Sequence, residues 1–286
     1  MTRRAFAPAK VNLFLHVGPL GSDGYHPLES WMVFADIGDV ITLEQGAPYR
    51  LDITGPYAGA VPATADNLVL RARDAAMDQP NARIIRFGLT LEKNLPPASG
   101  LGGGSSDAAA TLRLMGEYLA LPAVRLAQIA ATLGADVPAC LQARGLMARG
   151  RGEKLGPAPD APPLDAVLVN PGIETATGAV FAQFDRQSGA VPLEAEAPDR
   201  LEGAEAVAAF LARQRNDLEA AAVTLHPQIN IVLAALASAP EALIARMSGS
   251  GATCFALCRD PSDARALGAR LAAEHPGWWV RACTLA

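Results

Sequence analysis

The sequence contains few aromatic and few charged residues. Aromatic side chains make up 5% and charged side chains 19% of its 286 residues, while half of the residues are hydrophobic. No run of about 18 apolar residues occurs, which argues against a membrane-spanning helix. The formal net charge of −5 provides no general attraction for nucleic acid or for an anionic lipid surface. We therefore expect a soluble globular protein, without nucleic acid or membrane as a partner, that binds any anion through a small local set of donors.

Cysteine is also scarce, and its spacing does not predict a metal centre. The four cysteines form no CxxC pair and the four histidines are scattered, so a zinc site is not expected. We expect buried free thiols and a cytoplasmic protein. Two arginines precede an apolar stretch at the amino terminus, as in a secretory signal. Pro8, Lys10 and Asn12 interrupt that stretch, so no signal peptide is expected.

The length of the chain favours two domains. Four prolines in EKLGPAPDAPPLDA mark a boundary, which divides the chain into domains at 1–160 and 161–286. In the first domain, DVITLEQ and RLDITG on either side of GAPY predict a β-hairpin. In the second, the order of a strand, a glycine turn, a strand, a helix and a strand predicts an α+β domain.

Two helices of the first domain have recognisable ends. The segment DNLVLRARDAAM opens with Asp66 and Asn67, which are good N-capping residues, and we expect a helix there. Another helix is expected from 123 to 133. Gly134 follows it, and we expect this glycine to form a left-handed C-cap.

The most unusual stretch is PPASGLGGGSSDAAA, with glycine at Gly100 and Gly102–Gly104. It follows the alternating strand IIRFGLTLE and precedes a helix that we expect to begin near Ser105 or Ser106. A bare turn before a helix places free N–H groups and the positive helix end around one point, which favours an anion, phosphate above all. Glycine allows close approach and positive φ. A tight surface loop without a ligand is the alternative interpretation.

The two commonest phosphate loops are excluded. A Walker loop requires G-x-x-x-x-G-K-[ST], but Gly-Lys occurs nowhere in the chain. The dinucleotide fingerprint fails as well, because its third glycine position is Ser105. If the loop binds a phosphate, it therefore does so with a motif of another kind.

The segment PPASGLGGGSSDAAA resembles the central motif of the GHMP small-molecule kinases. Two further segments lie where that superfamily carries its other motifs, APAKVNLFLHV near the amino terminus and MSGSGATCFAL near the carboxyl terminus. Three motifs in order are more specific than one. The resemblance implies an α+β fold, with an N-terminal nucleotide domain like ribosomal S5 domain 2 and a ferredoxin-like C-terminal domain.

Further segments narrow the resemblance, among them DGYHPLES, LGADVPACL, ARGRGEKL and RNDLE. They are similar to the branch of the superfamily that uses ATP to phosphorylate a cytidine-diphosphate-linked methylerythritol in non-mevalonate isoprenoid synthesis. Ala98 and Ser99 stand where relatives often carry glycine, and the span 183–213 matches weakly. A mevalonate- or homoserine-type GHMP kinase, or a non-catalytic nucleotide-binding protein on the same scaffold, remains an alternative.

The resemblance implies two catalytic residues. Asp136, in LGADVP, is implied to be the base, and Lys10 is implied to pair with it and to orient the attacking hydroxyl. Taken alone, Asp136 would be interpreted as a turn or cap residue. Lys10 would be interpreted as a strand-end lysine that reaches solvent.

The resemblance also implies ATP and Mg²⁺ as cofactors. The residues implied to hold the ATP phosphates are Pro97, Ala98, Ser99, Gly100, Leu101, Gly102, Gly103, Gly104, Ser105 and Ser106. Ser105 or Ser106 is implied to lie near the metal, with Ser106 as the predicted ligand. Asn67, Leu68 and Lys93 are implied to line the adenine end. Gly249 and Gly251 either bring backbone close to the ligands or form a tight strand connection.

For the acceptor, the resemblance assigns five residues. Asn12 is implied to contact the methylerythritol part and His26 the cytosine edge, while Tyr25 and Phe181 stack on the two faces of cytosine, with Thr177 nearby. Stacking is worth about 1–3 kcal/mol per base in single-strand binding proteins. Turn residues and a core phenylalanine are the alternative interpretation. We expect small-molecule substrates as the only partners, and a monomer or weak homodimer.

Overall fold

The computed structural model describes residues 1–79, 86–187, 193 and 197–286. Two compact units can be distinguished, and each is built from several chain segments. Unit 1 comprises Met1–Lys10, Ile37–Pro97 and Gly102–Ala143. Unit 2 comprises Val11–Asp36, Ala98–Leu101 and Arg144–Ala286. These segments alternate along the chain, so the units are not two consecutive stretches of sequence. The expected boundary between domains at residue 160 stays a prediction.

The described residues form ten strands and nine α-helices. The strands are β1 (Thr2–Val17), β2 (Leu28–Gln45), β3 (Leu51–Thr54), β4 (Phe87–Glu92), β5 (Leu146–Gly150), β6 (Lys154–Pro157), β7 (Leu164–Asn170), β8 (Ala242–Met247), β9 (Cys254–Cys258) and β10 (Trp279–Leu285). The helices are α1 (Leu68–Met77), α2 (Gly103–Leu119), α3 (Ala123–Leu133), α4 (Val137–Gln142), α5 (Thr177–Gln187), α6 (Ala204–Leu211), α7 (Glu219–Leu225), α8 (Gln228–Ala237) and α9 (Pro261–Glu274). Among these helices, none combines the length and the apolar character needed to cross a bilayer.

In unit 1, β4 lies between β2 and β3. It pairs antiparallel with residues 40–45 of β2 and parallel with β3. The predicted hairpin of DVITLEQ and RLDITG is therefore wrong, because the two strands flank β4 and do not pair with each other. Tertiary pairing overrides the local hairpin signal because β4 offers each of the two strands an edge for hydrogen bonding. Its side chains Phe87, Leu89 and Leu91 also provide a buried apolar face.

The helices of unit 1 follow their local signals with two exceptions. Asn67 caps α1 as predicted, with its Oδ1 accepting the N–H of Val69 at 2.9 Å. Helix α2 begins at Gly103, two or three residues before the predicted start, because Gly102 at φ 60° already supplies the N-cap. Helix α3 has the predicted bounds, but Gly134 is extended at φ 166°, so the predicted left-handed cap is wrong. The chain runs on directly to α4 at this point.

Unit 2 contains an antiparallel sheet in the order β2, β10, β7, β9, β8, in which β2 takes part through its first half. Strand β5 pairs with the same half of β2 and also with β6. The apolar core of this unit joins the sheet to helices α5, α7, α8 and α9 through residues such as Val167, Phe184, Ile229 and Leu267. The predicted order of strand, turn, strand, helix and strand is confirmed by β8, β9, α9 and β10.

All four cysteines are free and buried, as expected. Burial raises the pKa of the Cys258 thiol to about 12. Burial likewise raises the pKa values of Cys140, Cys254 and Cys283 above the ordinary value of a thiol. Since the thiolate is the reactive form, these side chains are chemically protected in the folded protein.

We predict that the native protein reacts negligibly with Ellman's reagent near pH 8. The reagent cannot reach the buried sulfur atoms, and the thiols are protonated at that pH. The same protein in concentrated guanidinium chloride should release one equivalent of chromophore for each of its four thiols. Stoichiometric labelling of the folded protein within minutes would contradict this prediction.

Candidate active site

Lys10 and Asp136 form a close ion pair in unit 1. Lys10 lies on β1, and its Nζ donates a hydrogen bond to Asp136 Oδ2 at 2.9 Å. The lysine side chain is 6% exposed and the aspartate side chain 33% exposed, so only the carboxylate reaches solvent. Asp136 occupies the N-cap position of α4, but its side chain makes no capping hydrogen bond. The carboxylate is therefore oriented by Lys10 and not by the helix that follows it.

The start of α2 lies against the same lysine. A Cβ atom on Gly102 would lie a tight 3.1 Å from Lys10 Cε, and the residue has φ 60°, so glycine suits both the lysine stem and the backbone. No side chain caps the helix. The first intrahelical bond of this turn runs from the N–H of Ser106 to the carbonyl of Gly102 at 2.9 Å, and the N–H groups of 103–105 precede it. Free N–H groups and the positive helix end thus lie beside the Lys10–Asp136 pair, which suits a phosphate.

A second buried lysine closes the base of the glycine loop. Lys93, just before the loop, donates from Nζ to Asp107 Oδ2 at 2.9 Å, just after it. It also donates to Asp39 Oδ2. The other oxygen of Asp39 accepts the N–H groups of Asn94 and Leu95, at 2.6 and 2.8 Å. This Asp39–Lys93–Asp107 cluster therefore fixes the distance between the two ends of the loop.

Burial and the attraction between opposite charges act against each other in this nearly dry cluster. Burial lowers the pKa of Lys93, but the neighbouring Asp107 and Asp39 carboxylates more than offset that effect, so the pKa is raised. Burial raises the pKa of Asp107 to about 8, against the opposing attraction of Lys93. Two carboxylates thus share one ammonium group. Since Lys93 Nζ is engaged in this way, its contact with the adenine end stays a prediction.

Ser106 lies on the first turn of α2 with its side chain fully buried. Among the described residues, neither its Oγ nor Asp107 Oδ1 has a hydrogen-bond partner. Hard oxygen donors at a helix end that suits a phosphate also fit Mg²⁺, which usually takes few protein ligands. In the described part of the chain, no group of three or more His, Cys, Asp or Glu side chains could hold a metal by itself. A Mg²⁺ ion here would therefore rely on ligand oxygens as well.

The start of α1 lies beside the same turn. The Asn67 amide is used by the protein itself, since it accepts from the N–H of Val69 and donates to the Pro62 carbonyl at 2.9 Å. Leu68 Cδ1 would be 3.6 Å from a Cβ on Gly104. The structure thus brings Leu68 to the start of α2, and the adenine contacts of Asn67 and Leu68 stay predictions.

In unit 2, three consecutive carbonyls of the loop are held by hydrogen bonds. Ala98, Ser99 and Gly100 accept at 2.8, 3.0 and 3.0 Å from the N–H of Thr175, the N–H of Thr253 and the Oγ of Ser248. Ala98 and Gly100 adopt positive φ, 44° and 80°. A Cβ on Gly100 would meet the Ser248 carbonyl at 2.4 Å, so only glycine fits. The segment 248–253 thus supports the shape of the loop.

Asn12 connects the first and third sequence motifs within unit 2. Its backbone N–H donates to Ser248 Oγ at 3.1 Å and its Nδ2 donates to Ser30 Oγ at 2.7 Å. A Cβ on Gly249 would lie 3.1 Å from Asn12 Oδ1. Gly249 has φ 56°, and Gly251 has φ 80°. The Asn12 side chain is therefore held in one orientation.

His26 lies against helix α5, which also carries two of the predicted acceptor residues. Its Nδ1 is 2.8 Å from the Gly18 carbonyl, and its Nε2 is 2.9 Å from Asp185 Oδ1 in an ion-pair contact without hydrogen-bond geometry. The ring centroids of His26 and Phe181 are 5.7 Å apart. Thr177, at the start of α5, has its Oγ1 3.0 Å from the Oγ of Ser250. Both ring nitrogens of His26 thus face protein acceptors.

Tyr25 has a different partner from Phe181. Its ring is covered by the guanidinium group of Arg151, whose carbon lies 3.8 Å from the ring centre. Arg151 also donates to Asp23 Oδ2 at 2.6 Å. This hydrogen bond is the largest cause of the lowered pKa of Asp23. A cytosine sandwich between Tyr25 and Phe181 stays a prediction.

Several residues at these sites did not emerge from the sequence. Asp39 is a charge next to an apolar strand segment, the same signal that singled out Lys10, and that signal could have found it, whereas Asp107 follows two serines and lacks that signal. Arg151 and Asp185 stand among other polar residues, and nothing local distinguishes them. Ser30 is an ordinary strand serine until Asn12 is placed beside it.

Comparison with known families agrees with this geometry. Residues 67–144 match the family model for the GHMP kinases N terminal domain, and residues 197–277 match the one for the GHMP kinases C terminal region. Together the two matches cover more than half of the chain. The chain therefore belongs to the GHMP kinase family, and the predicted α+β fold is confirmed.

Individual relatives show to which group of GHMP kinases the chain is most similar. A 4-diphosphocytidyl-2-C-methyl-D-erythritol kinase of Caulobacter vibrioides is 52% identical, with 100% of both chains covered. A crystal structure of 4-(cytidine 5'-diphospho)-2C-methyl-D-erythritol kinase is 33% identical with a TM-score of 0.78, over 100% of this chain and 99% of the other. Within the GHMP kinases, the chain belongs with the 4-diphosphocytidyl-2-C-methyl-D-erythritol kinases. A homoserine kinase from Cytophaga hutchinsonii, 20% identical over 99% of this chain and 95% of the other, shares only the fold, with a TM-score of 0.71.

We predict that Lys93→Met strongly destabilises the protein. The substitution leaves Asp39 and Asp107 buried without their shared cation, and breaking a buried pair in this way costs about 3–5 kcal/mol. Urea denaturation followed by circular dichroism measures the loss. Arg50→Met, which removes an exposed pair with Asp52, is the control and should change stability by less than about 1 kcal/mol. Equal stability of the two variants would contradict the prediction.

Proposed function

We propose that this kinase transfers the γ-phosphoryl group of ATP to the 2-hydroxyl of 4-diphosphocytidyl-2-C-methyl-D-erythritol. The products are the 2-phosphate and ADP, and the reaction belongs to the non-mevalonate isoprenoid pathway. The single observation that carries the catalytic proposal is the 2.9 Å contact of Lys10 Nζ with Asp136 Oδ2 beside the free start of α2. Membership in the 4-diphosphocytidyl-2-C-methyl-D-erythritol kinases supports the choice of acceptor.

Asp136 is the proposed proton acceptor. As the bond forms between the acceptor oxygen and the γ-phosphorus, the bond from that phosphorus to the bridging oxygen breaks and ADP leaves. The hydroxyl proton passes to the Asp136 carboxylate, which is partly exposed and held by Lys10. The buried positive charge of Lys10 also favours the oxygen as it becomes negative. These two residues therefore supply both the base and its orientation.

The glycine loop is the proposed donor site. The N–H groups of 103–105 and the positive end of α2 attract the phosphates of ATP. The loop from Pro97 to Ser106 keeps its shape because the Asp39–Lys93–Asp107 cluster closes its base. Within unit 2, Ser248 and Thr253 hold its carbonyls. Adenine is proposed to lie near Asn67, Leu68 and Lys93.

Ser106 Oγ is the proposed protein ligand of Mg²⁺, supported by its burial and its lack of a partner among the described residues. When bound, the ion would neutralise part of the phosphate charge. The role of this chain is to hold a hard oxygen at the helix end where the phosphates bind.

The acceptor is proposed to bind along β1 and the residues that follow it. Asn12 is two residues from Lys10 on the same strand, so the two side chains share a face, and the methylerythritol part is assigned to Asn12. Tyr25, His26, Thr177 and Phe181 are assigned to the cytosine. Since both ring nitrogens of His26 face protein acceptors, the backbone of His26 is the part proposed to meet the base edge.

The other candidates are less well supported. Likeness to a homoserine kinase at 20% identity concerns the fold, and fold alone does not fix the substrate. A non-catalytic nucleotide-binding protein would have no need of a buried lysine paired with a partly exposed aspartate. We further propose a cytoplasmic monomer or weak homodimer, in keeping with four free buried thiols.

We predict that Asp136→Asn lowers kcat by about 10²–10⁴-fold, because the amide cannot accept the hydroxyl proton. The amide oxygen can still accept from Lys10, so the fold and the affinities for ATP and acceptor should persist. Steady-state kinetics and calorimetric titration measure the two effects. Asp160→Asn, at an exposed position, is the matched control. Near-normal turnover of Asp136→Asn would refute the proposed base.

Substrate choice is predicted to follow the cytidine group. In a coupled assay of ADP release, 4-diphosphocytidyl-2-C-methyl-D-erythritol should be phosphorylated, while methylerythritol, mevalonate and homoserine should give kcat/KM values lower by at least about 10³-fold, because they lack the base and diphosphate contacts. Comparable turnover of mevalonate or homoserine would favour the corresponding GHMP kinase instead.

A further inference from the structure

Tyr25 is an aromatic side chain on an exposed loop, yet its surroundings are ordered. The residue is 55% exposed. Its loop is closed by hydrogen bonds from the N–H of Gly21 to the Tyr25 carbonyl at 2.8 Å and from the N–H of Gly24 to the Gly21 carbonyl at 3.0 Å. These bonds fix the backbone of the loop, but they leave the direction of the phenol ring to its side-chain contacts.

Arg151 provides such a contact. It lies in the turn between β5 and β6, and its guanidinium carbon is 3.8 Å from the centre of the Tyr25 ring. A planar guanidinium stacks on an aromatic face and attracts its negative π cloud, which a lysine ammonium does less specifically. One face of the ring is thereby covered by protein.

Asp23 ties the arginine to the tyrosine. Its Oδ2 accepts from Arg151 Nη2 at 2.6 Å, and its Oδ1 accepts the backbone N–H of Tyr25 at 3.1 Å. One carboxylate therefore holds both partners of the stacked pair. The guanidinium group is thereby held close to the backbone of Tyr25, and its stacking contact is what restrains the direction of the ring.

The turn that carries Arg151 is also ordered. The backbone N–H of Arg151 donates to Glu153 Oε2 at 2.6 Å, and the N–H of Gly152 donates to the Arg149 carbonyl at 3.1 Å. Gly150 takes the positive φ of 72° that starts the turn. The backbone of Arg151 is thus held in place, and its side chain extends from there to the Tyr25 ring.

We propose that Arg151 is a positioning residue for the acceptor, which holds the Tyr25 ring in the direction in which a pyrimidine base stacks on its other face. The proposal rests on the proposed function, which assigns base stacking to Tyr25. A ring that is already oriented loses less side-chain freedom when the base arrives, so binding is tighter without any contact between Arg151 and the acceptor.

The test compares Arg151→Ala with a closely matched control. Arg149→Ala removes an arginine two residues earlier, on β5, whose side chain is about as exposed and pairs with Glu29 at 2.7 Å. Among the described residues, Arg149 stacks on no aromatic ring. Arg151→Lys keeps the charge and loses the stacking plane. Each variant is assayed for kcat and for KM of both substrates, and its binding of cytidine 5′-diphosphate is measured by calorimetry.

Arg151→Ala is expected to raise the KM of the acceptor and the Kd of cytidine 5′-diphosphate about three- to tenfold, with kcat and the KM of ATP unchanged. Arg151→Lys should show most of this loss, and Arg149→Ala none. Unchanged or tighter cytidine 5′-diphosphate binding by Arg151→Ala would overturn the proposal. Tighter binding would mean that the arginine occupies the place of the base.

A double-mutant cycle with Tyr25→Ala separates positioning from direct contact. If Arg151 acts through the ring, Arg151→Ala should cause no further loss in the Tyr25→Ala background. An additive loss would overturn the proposal and indicate that Arg151 touches the acceptor itself. If Tyr25→Ala alone leaves cytidine 5′-diphosphate binding unchanged, the stacking role given to Tyr25 in the proposed function fails, and the proposal fails with it.

Discussion

The uncapped start of helix α2 is the constraint on which the candidate site in unit 1 depends. A helix end without a capping side chain presents N–H groups and positive potential, which costs stability unless a ligand or the local structure compensates. Gly102 provides the left-handed backbone that opens the helix, and Lys10 passes beside it. The Asp39–Lys93–Asp107 cluster below the first turn keeps that end in place. The proposed anion site is thus a consequence of how the helix begins.

Two buried lysines with carboxylate partners serve different purposes in unit 1. Lys93 is enclosed with two carboxylates that are themselves buried, so its positive charge is balanced within the protein. Lys10 is equally buried, but its partner Asp136 is one-third exposed and can meet a substrate hydroxyl. The same pair of residue types therefore gives a structural cluster in one place and a candidate base in the other. Exposure of the carboxylate makes the difference.

The choice of acceptor is separate from the glycine loop. The loop offers backbone N–H groups, which attract phosphates of any nucleotide and carry no information about the acceptor. In the proposed function, that information comes from aromatic and hydroxyl side chains of unit 2 that have defined partners. His26 packs against Phe181, and Tyr25 against Arg151. Discrimination among GHMP acceptors is therefore expected from these side chains and from the contacts that fix them.

Local chemistry in the sequence determined the capped start of α1 at Asn67, the bounds of α3 and the three motifs, because caps, periodicity and glycine content act over a few neighbouring residues. Only the tertiary structure placed β4 between β2 and β3 and brought Asp39 to Lys93, 54 residues away in sequence. It also joined Arg151 to Asp23 across 128 residues. Such contacts depend on burial and on strand pairing between distant segments. A local sequence pattern therefore does not predict which carboxylate will contact a given cation.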